Sequence, residues 1–195
     1  MTARSDLSEA LTPEERARLL KLARQALEEG VRNLPPSPLD LRELSPRLRE
    51  DGAAFVTLTI GGELRGCIGA LEAYQPLAED VREHAVAAAL QDWRFPPVQA
   101  EELPKIEIEI SRLTSPQPLH YDHPEDLLTL LRPGVDGIVL RDGMRRATFL
   151  PQVWEKIPDP RLFLSQLCLK MGASPDLWRR KKLEVFTYQV EEFHE

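Results

Sequence analysis

Residues 54–68 constrain this chain more than any other stretch. Val56, Leu58 and Ile60 alternate with Phe55, Thr57 and Thr59, the period of a strand with one buried face. Gly61-Gly62 interrupts the run, and Glu63–Ile68 then resumes an extended pattern. Two such runs around a glycine pair predict an antiparallel hairpin. Its register decides where the polar groups go. A strict two-residue loop puts Arg65 and Cys67 on the face of Val56 and Leu58. One extra residue in the loop aligns Leu64, Gly66 and Ile68 with that apolar face and sets Arg65 and Cys67 beside Thr59 and Thr57. Burying an arginine is costly, and a one-residue slip moves every side chain to the other face, so the second register is expected.

The rest of the chain reads as helices segregated from further strands. Thr12 as N-cap, Pro13 at the first helical position and Glu15 at capping-box spacing open a helix over 12–29, with Gly30 as its stop. A stiff connector, Leu34-Pro35-Pro36-Ser37-Pro38, follows. A second helix spans 76–91, with Glu79 and Asp80 at its positive end and an apolar stripe through Leu77, Val81, Ala85 and Ala88. Residues 105–113 alternate as a strand with Ile106, Ile108 and Ile110 inward. A short helix from His123 to about Leu131, strands at 138–140 and 147–150, helices at 151–156, 161–171 and 174–178, and a final strand at 183–190 complete the pattern. Hairpin-joined strands with segregated helices predict an α+β fold, a mainly antiparallel sheet flanked by helices, in a single domain over 1–195.

Charge and cysteine content narrow the function classes. Lys+Arg number 25 and Asp+Glu 32, a net charge of −7, so a nucleic-acid-coating surface is not indicated. Two cysteines, Cys67 and Cys168, are too few for a disulfide framework or a four-cysteine zinc site. The first twenty residues show no secretory leader, and no stretch is apolar enough to span a membrane, so a cytoplasmic location is expected. No phosphate-cradling glycine loop or dinucleotide fingerprint names a cofactor.

Cys67 is the residue to which chemistry points. Gly66 and Gly69 flank it within a strand, where glycine marks a bulge or a close backbone approach. Arg65 nearby favours a thiolate. Cys67 is therefore read either as a reactive cysteine or as a small core filler. His84, in phase with Leu77, Val81 and Ala88, is a conceivable base, with Glu107 or Glu109 as a third partner; the alternative is a hydrogen-bonded core histidine. Cys168, within Phe163–Lys170, reads as helix core. His120-Tyr121-Asp122-His123-Pro124-Glu125 offers metal-ligand types, but Asp122 and Glu125 fit a capping box better, and no metal site is expected. Arg179-Arg180-Lys181-Lys182 reads as a solvated turn.

Leu64-Arg65-Gly66-Cys67-Ile68-Gly69, Asp92-Trp93-Arg94-Phe95-Pro96-Pro97 and Glu102-Leu103-Pro104-Lys105 together resemble the AMMECR family, called AmmeMemoRadiSam system protein A in prokaryotes. So do Gly134-Val135-Asp136-Gly137-Ile138, Phe149-Leu150-Pro151-Gln152-Val153 and Cys168-Leu169-Lys170-Met171-Gly172. The resemblance runs over about residues 15–190. It implies a larger and a smaller lobe forming a cleft, with both chain ends in the larger lobe. It implies a site at Arg65, Gly66, Cys67, Gly69, Arg94, Phe95 and Pro96. By genomic company it implies Memo-family and radical-SAM-type partners in modification of a protein or RNA. Two functions remain open. One is a cysteine-dependent enzyme or enzyme subunit using Cys67. The other is a non-catalytic module that recognises an anionic ligand or partner through arginine and aromatic side chains.

Overall fold

A computed structural model describes residues 10–195. Residues 1–9, where the reading for a secretory leader begins, lie outside the described residues. The chain divides into two compact units, one holding the chain through Thr114 together with Glu191–Glu195, the other Ser115–Val190.

The first unit contains α1 (Pro13–Val31), α2 (Pro46–Arg49), β1 (Asp51–Ile60), β2 (Glu63–Gly69), β3 (Gln75–Pro76), α3 (Leu77–Leu90) and β4 (Ile106–Leu113). The second contains β5 (Gln117–Pro118), α4 (Leu127–Leu130), β6 (Gly137–Asp142), β7 (Arg145–Phe149), α5 (Val153–Lys156), α6 (Pro160–Lys170), α7 (Leu177–Arg180) and β8 (Glu184–Tyr188). The chain then returns to the first unit in β9 (Val190–His194). The fold is α+β with two sheets whose assigned strand pairs are antiparallel, as expected.

The first sheet runs β2-β1-β4-β9, with β3 paired to the start of β1. One face carries Val56, Leu58, Ile106, Ile108 and Ile110, all buried, under α3; α1 packs on α3 in turn. The α1 capping box forms as read: Thr12 Oγ1 accepts from Glu15 N–H at 3.2 Å, and Glu15 Oε2 accepts from Thr12 N–H at 2.9 Å. Gly30 does not stop the helix. It lies inside the last turn, where a Cβ would sit 2.9 Å from Val86, so its smallness serves helix packing. Asn33, at φ 55°, turns the chain instead.

The second sheet runs β5-β8-β6-β7. Its core joins Ile138, Leu140 and Val185 to Phe163, Leu167, Cys168 and Trp178. Trp154 stacks on Phe163 at 3.7 Å between ring centroids. Cys168 is fully buried, as its helix pattern implied, and burial pushes its thiol pKa up. The predicted capping box moves by one residue: Asp126, not Glu125, accepts the N–H groups of His123 (2.8 Å) and Asp122 (3.2 Å). The expected strand at 183–190 forms as β8, and a further strand that was not expected, β9, follows it from Val190. β8 pairs with β6 in one sheet, whereas β9 joins β4 in the other and buries Phe193 in the first core. Among the described residues no helix is long and apolar enough to cross a membrane.

Candidate functional site

The β1–β2 hairpin closes with a two-residue loop, Gly61-Gly62, at φ 59° and 83°. Positive φ at both positions is what a type I′ turn requires. Ile60 faces Glu63 and Thr59 faces Leu64, but Leu58 then faces Gly66. Arg65 is the extra residue, a β-bulge within the strand. The expected register is therefore correct at Gly66, Cys67 and Ile68 and is reached differently: the additional residue lies in β2, not in the loop. Leu64 is accordingly not on the apolar face and remains 42% exposed.

The bulge has two consequences. It turns Gly66 onto α3, where a Cβ would lie 2.1 Å from the Ala88 carbonyl oxygen. It also places Cys67 opposite Thr57, on the face of the sheet away from α3. Thr57 Oγ1 donates to Cys67 Sγ at 3.3 Å. Gly69 is equally crowded, since a Cβ there would fall 2.5 Å from the Ala54 carbonyl oxygen and the Phe55 ring. Both glycines thus serve approaches made by the protein's own backbone and side chains.

β2 is an edge strand, and the outward backbone groups of Cys67 are taken by side chains. Asp92 Oδ2 accepts the Cys67 N–H at 2.9 Å, and Arg94 Nη2 donates to the Cys67 carbonyl at 3.2 Å. Asp92 in turn grips Arg94. Its Oδ1 accepts Arg94 N–H (3.1 Å) and Nε (2.9 Å), and its Oδ2 accepts Nη2 at 2.6 Å. An acid and an arginine two residues apart replace a neighbouring strand at this edge. Asp92 is buried, and its carboxyl is held well below the usual range, chiefly by the Arg94 guanidinium and further by the Cys67 and Arg94 N–H groups, against the cost of burial. Asp92 raises the pKa of Arg94 reciprocally.

Arg94 keeps 43% of its side chain exposed and lies 5.5 Å from the Phe95 ring centroid. Beside it Trp93 is 90% exposed. Phe95 is half-buried and Pro96 exposed, and the chain rejoins α3 when Val98 N–H bonds the Ala89 carbonyl at 2.9 Å. Arg65 is committed elsewhere: Nε and Nη2 make a bidentate pair with Glu102 at 2.7 and 3.0 Å, and its Nη1 is buried without a partner. That pair lowers the Glu102 pKa, with help from the Gln99 N–H.

With this geometry in view, three comparisons place the chain. A family model described as AMMECR1 matches residues 20–193. The chain belongs to the AMMECR1 family. It is 41% identical to a protein of Methanothermobacter thermautotrophicus over 193 residues, covering 95% of this chain and 96% of that one. A Thermofilum pendens protein is 40% identical, covering 95% of this chain and 92% of its own length. The crystal structure of Uncharacterized Protein PH0010 from Pyrococcus horikoshii superposes with a TM-score of 0.75 at 32% identity, covering 95% and 93%.

Within this AMMECR1 chain the structure brings Cys67, Arg94 and Phe95 together through Asp92. It does not bring His84 to Cys67. His84 lies on α3, beneath the opposite face of the sheet. Its Nδ1 is 3.2 Å from Asp80 Oδ2 but is not aligned as a hydrogen bond. Asp80 accepts the Ala54 N–H at 2.9 Å and so ties the start of β1 to α3. Glu109 does share a row with Cys67, since it faces Thr57 across β4. Among the described residues no group of His, Cys, Asp and Glu could hold a metal.

Asp92, Trp93, Thr57 and Glu102 are neighbours of the candidate residues that motif reading passed over. Asp92 carried a local signal, the Asx turn in which an aspartate accepts the N–H two residues on. Asp40 and Arg42 form the same turn, with Asp40 Oδ1 accepting Arg42 N–H and Nε at 2.9 Å each. Arg42 is 89% exposed and Asp40 39%. What separates Asp92 is its burial against Cys67, which only the tertiary fold supplies.

Proposed function

We propose that this protein is a recognition subunit that docks a partner protein at the β2 edge, through Arg94 and Trp93 beside Cys67. The observation that carries this reading is how Asp92 uses its oxygens. They take Nε and Nη2 of Arg94, fixing the guanidinium while leaving Nη1 for a carboxylate from outside. A pre-positioned arginine next to a tryptophan exposed over 90% of its surface is the composition of a binding hot spot. The partners this reading favours are the Memo-type and radical-SAM-type proteins that the family resemblance implies, within a protein- or RNA-modifying system.

The test is direct. Binding of each recombinant partner type is measured by interferometry against the unaltered protein, Arg94→Ala and Trp93→Ala. Loss of about tenfold or more in affinity in both variants is expected. Equal affinity in all three proteins, or no binding by either partner type, overturns the reading.

One observation favours a second reading, in which Cys67 acts chemically. Thr57 donates to its sulfur, and Glu109 lies one strand beyond in the same row. Strands are about 4.8 Å apart, so Glu109 serves the sulfur only through the Thr57 hydroxyl, which must turn its one proton from the sulfur to the carboxylate and accept the thiol proton in exchange. A Thr57→Val variant that labels with a thiol reagent as fast as the unaltered protein removes that route.

A further inference from the structure

The helical layer of the first unit carries a groove that the Cys67 edge does not use. It has a volume of about 290 Å³ and lies between the last turn of α1, the proline connector and the outer face of α3. Ala26, Gly30, Leu34, Pro36 and Val86 form its apolar lining. Leu34 is 52% exposed at one side, and Tyr74 beyond the groove is 56% exposed.

Three observations bear on what it receives. First, its charged rim is acidic: Glu29, Glu79 and Glu83 against Arg82 alone. Arg82 is already committed, with Nη1 3.2 Å from Glu79, Nη2 2.6 Å from the Ser37 carbonyl and only 14% of its side chain exposed. Second, the last turn of α1 carries Glu28 and Glu29 and no basic residue, at the helix end where the macrodipole is itself negative. Arg32, just past the helix, is the nearest counter-charge in sequence. Hydrogen bonds from Ser37 and Gln25 hold the Glu29 carboxyl below its usual range, so its charge is kept in the folded protein and adds negative potential beside the groove. Third, the groove is pre-formed. Ser37 donates its N–H to Glu29 Oε2 at 2.9 Å and its hydroxyl to Oε1, which straps the connector over α1. Gln75 Nε2 donates to Glu83 Oε2 at 2.6 Å, and the Tyr74 hydroxyl donates at 3.3 Å, so Glu83 is held in place on the opposite rim. Fixed walls lower the ordering cost of binding.

We propose that this groove receives a cationic segment of a partner protein, with one large apolar side chain against Leu34 and Val86 and lysine or arginine against Glu79 and Glu83. The site is independent of the Cys67 edge, which faces away from α3. The probe is a fluorescein-labelled peptide of leucine and lysine at helical spacing, followed by fluorescence anisotropy. Its control is the same peptide with glutamate replacing lysine. Leu34→Lys and Glu83→Lys change exposed side chains, and matching thermal melts show that each variant folds. Each is expected to weaken binding of the cationic peptide by about tenfold, while the acidic peptide does not bind. Unchanged binding in both variants places the peptide elsewhere and overturns the proposal. Equal binding of the acidic peptide removes the charge argument and overturns it too. A concentration-dependent dimer in sedimentation, abolished by Leu34→Lys, assigns the groove to a second copy of this chain and also overturns it.

Discussion

Replacing Asp92 by asparagine tests the strand-edge account without changing side-chain shape. Four donors converge on two oxygens: Arg94 N–H and Nε on Oδ1, Cys67 N–H and Arg94 Nη2 on Oδ2. An amide offers one oxygen. Whichever way it turns, its NH₂ faces two donors, and one of them is a backbone N–H. The arginine nitrogens can turn to water, because Arg94 is 43% exposed. The orphaned backbone N–H beside a buried residue cannot do so easily, and such a group costs about 1–3 kcal/mol. We therefore expect Asp92→Asn to lose about 2 kcal/mol in urea unfolding at pH 7, or roughly 4–8 °C in Tm for a chain of this size.

The pH dependence gives a second reading of the same variant. The folded-state pKa of Asp92 is depressed, so its ionisation contributes stability that is fully present above the unfolded value and is lost as pH falls through the folded one. With an unfolded value of about 3.9, the contribution shrinks by about 1 kcal/mol between pH 7 and pH 3. Asparagine does not titrate, so the gap between the two proteins closes by that amount over the same range. Equal stability at pH 7, or a gap that is constant down to pH 3, refutes the idea that a buried Asp92 carboxylate holds this edge.

Three further outcomes follow from the packing. Gly66→Ala sets a Cβ 2.1 Å from the Ala88 carbonyl and forces β2 from α3, at a cost of about 3 kcal/mol in urea unfolding. Gly137→Ala acts likewise in the second unit, where a Cβ meets the Tyr188 ring at 2.4 Å, and its thermal melt should fall by several degrees. A thiol reagent on the native protein should titrate one cysteine, the half-exposed Cys67. Cys168, fully buried and with its thiol pKa raised by burial, should react only after denaturation.

How much of this was legible beforehand depended on whether the deciding information is local. The strand alternation at Val56, Leu58 and Ile60 and the Thr12–Glu15 capping box are set within a few residues, and both appear as read. The hairpin register at Gly66–Ile68 is as read, but the cost of burying Arg65 is not what sets it: that side chain is only 14% exposed and is held by Glu102, and the register instead puts Gly66, which alone leaves room for the Ala88 carbonyl, against α3. The bulge that delivers it was not legible, because a glycine pair is equally compatible with a longer loop. The strand read at 183–190 appears as β8, but β9 over Val190–His194 was not read, because nothing local in those five residues says that they pair with β4 in the other sheet. The pairing of Cys67 with His84 failed for a similar reason. Helical phase put His84 toward the sheet, but the register put Cys67 on the sheet's far face. Asp92 stood in a quoted motif, yet its role depends on a backbone N–H 25 residues away.

The central claim is that the β2 edge at Arg94, Trp93 and Cys67 is a docking surface. Its most direct measurement is the labelling rate of Cys67 in a Cys168→Ala background, with and without each recombinant Memo-type and radical-SAM-type partner. The account predicts that a bound partner slows labelling by about tenfold and that Arg94→Ala restores the free rate. Labelling that proceeds at the same rate with every partner at saturating concentration contradicts it.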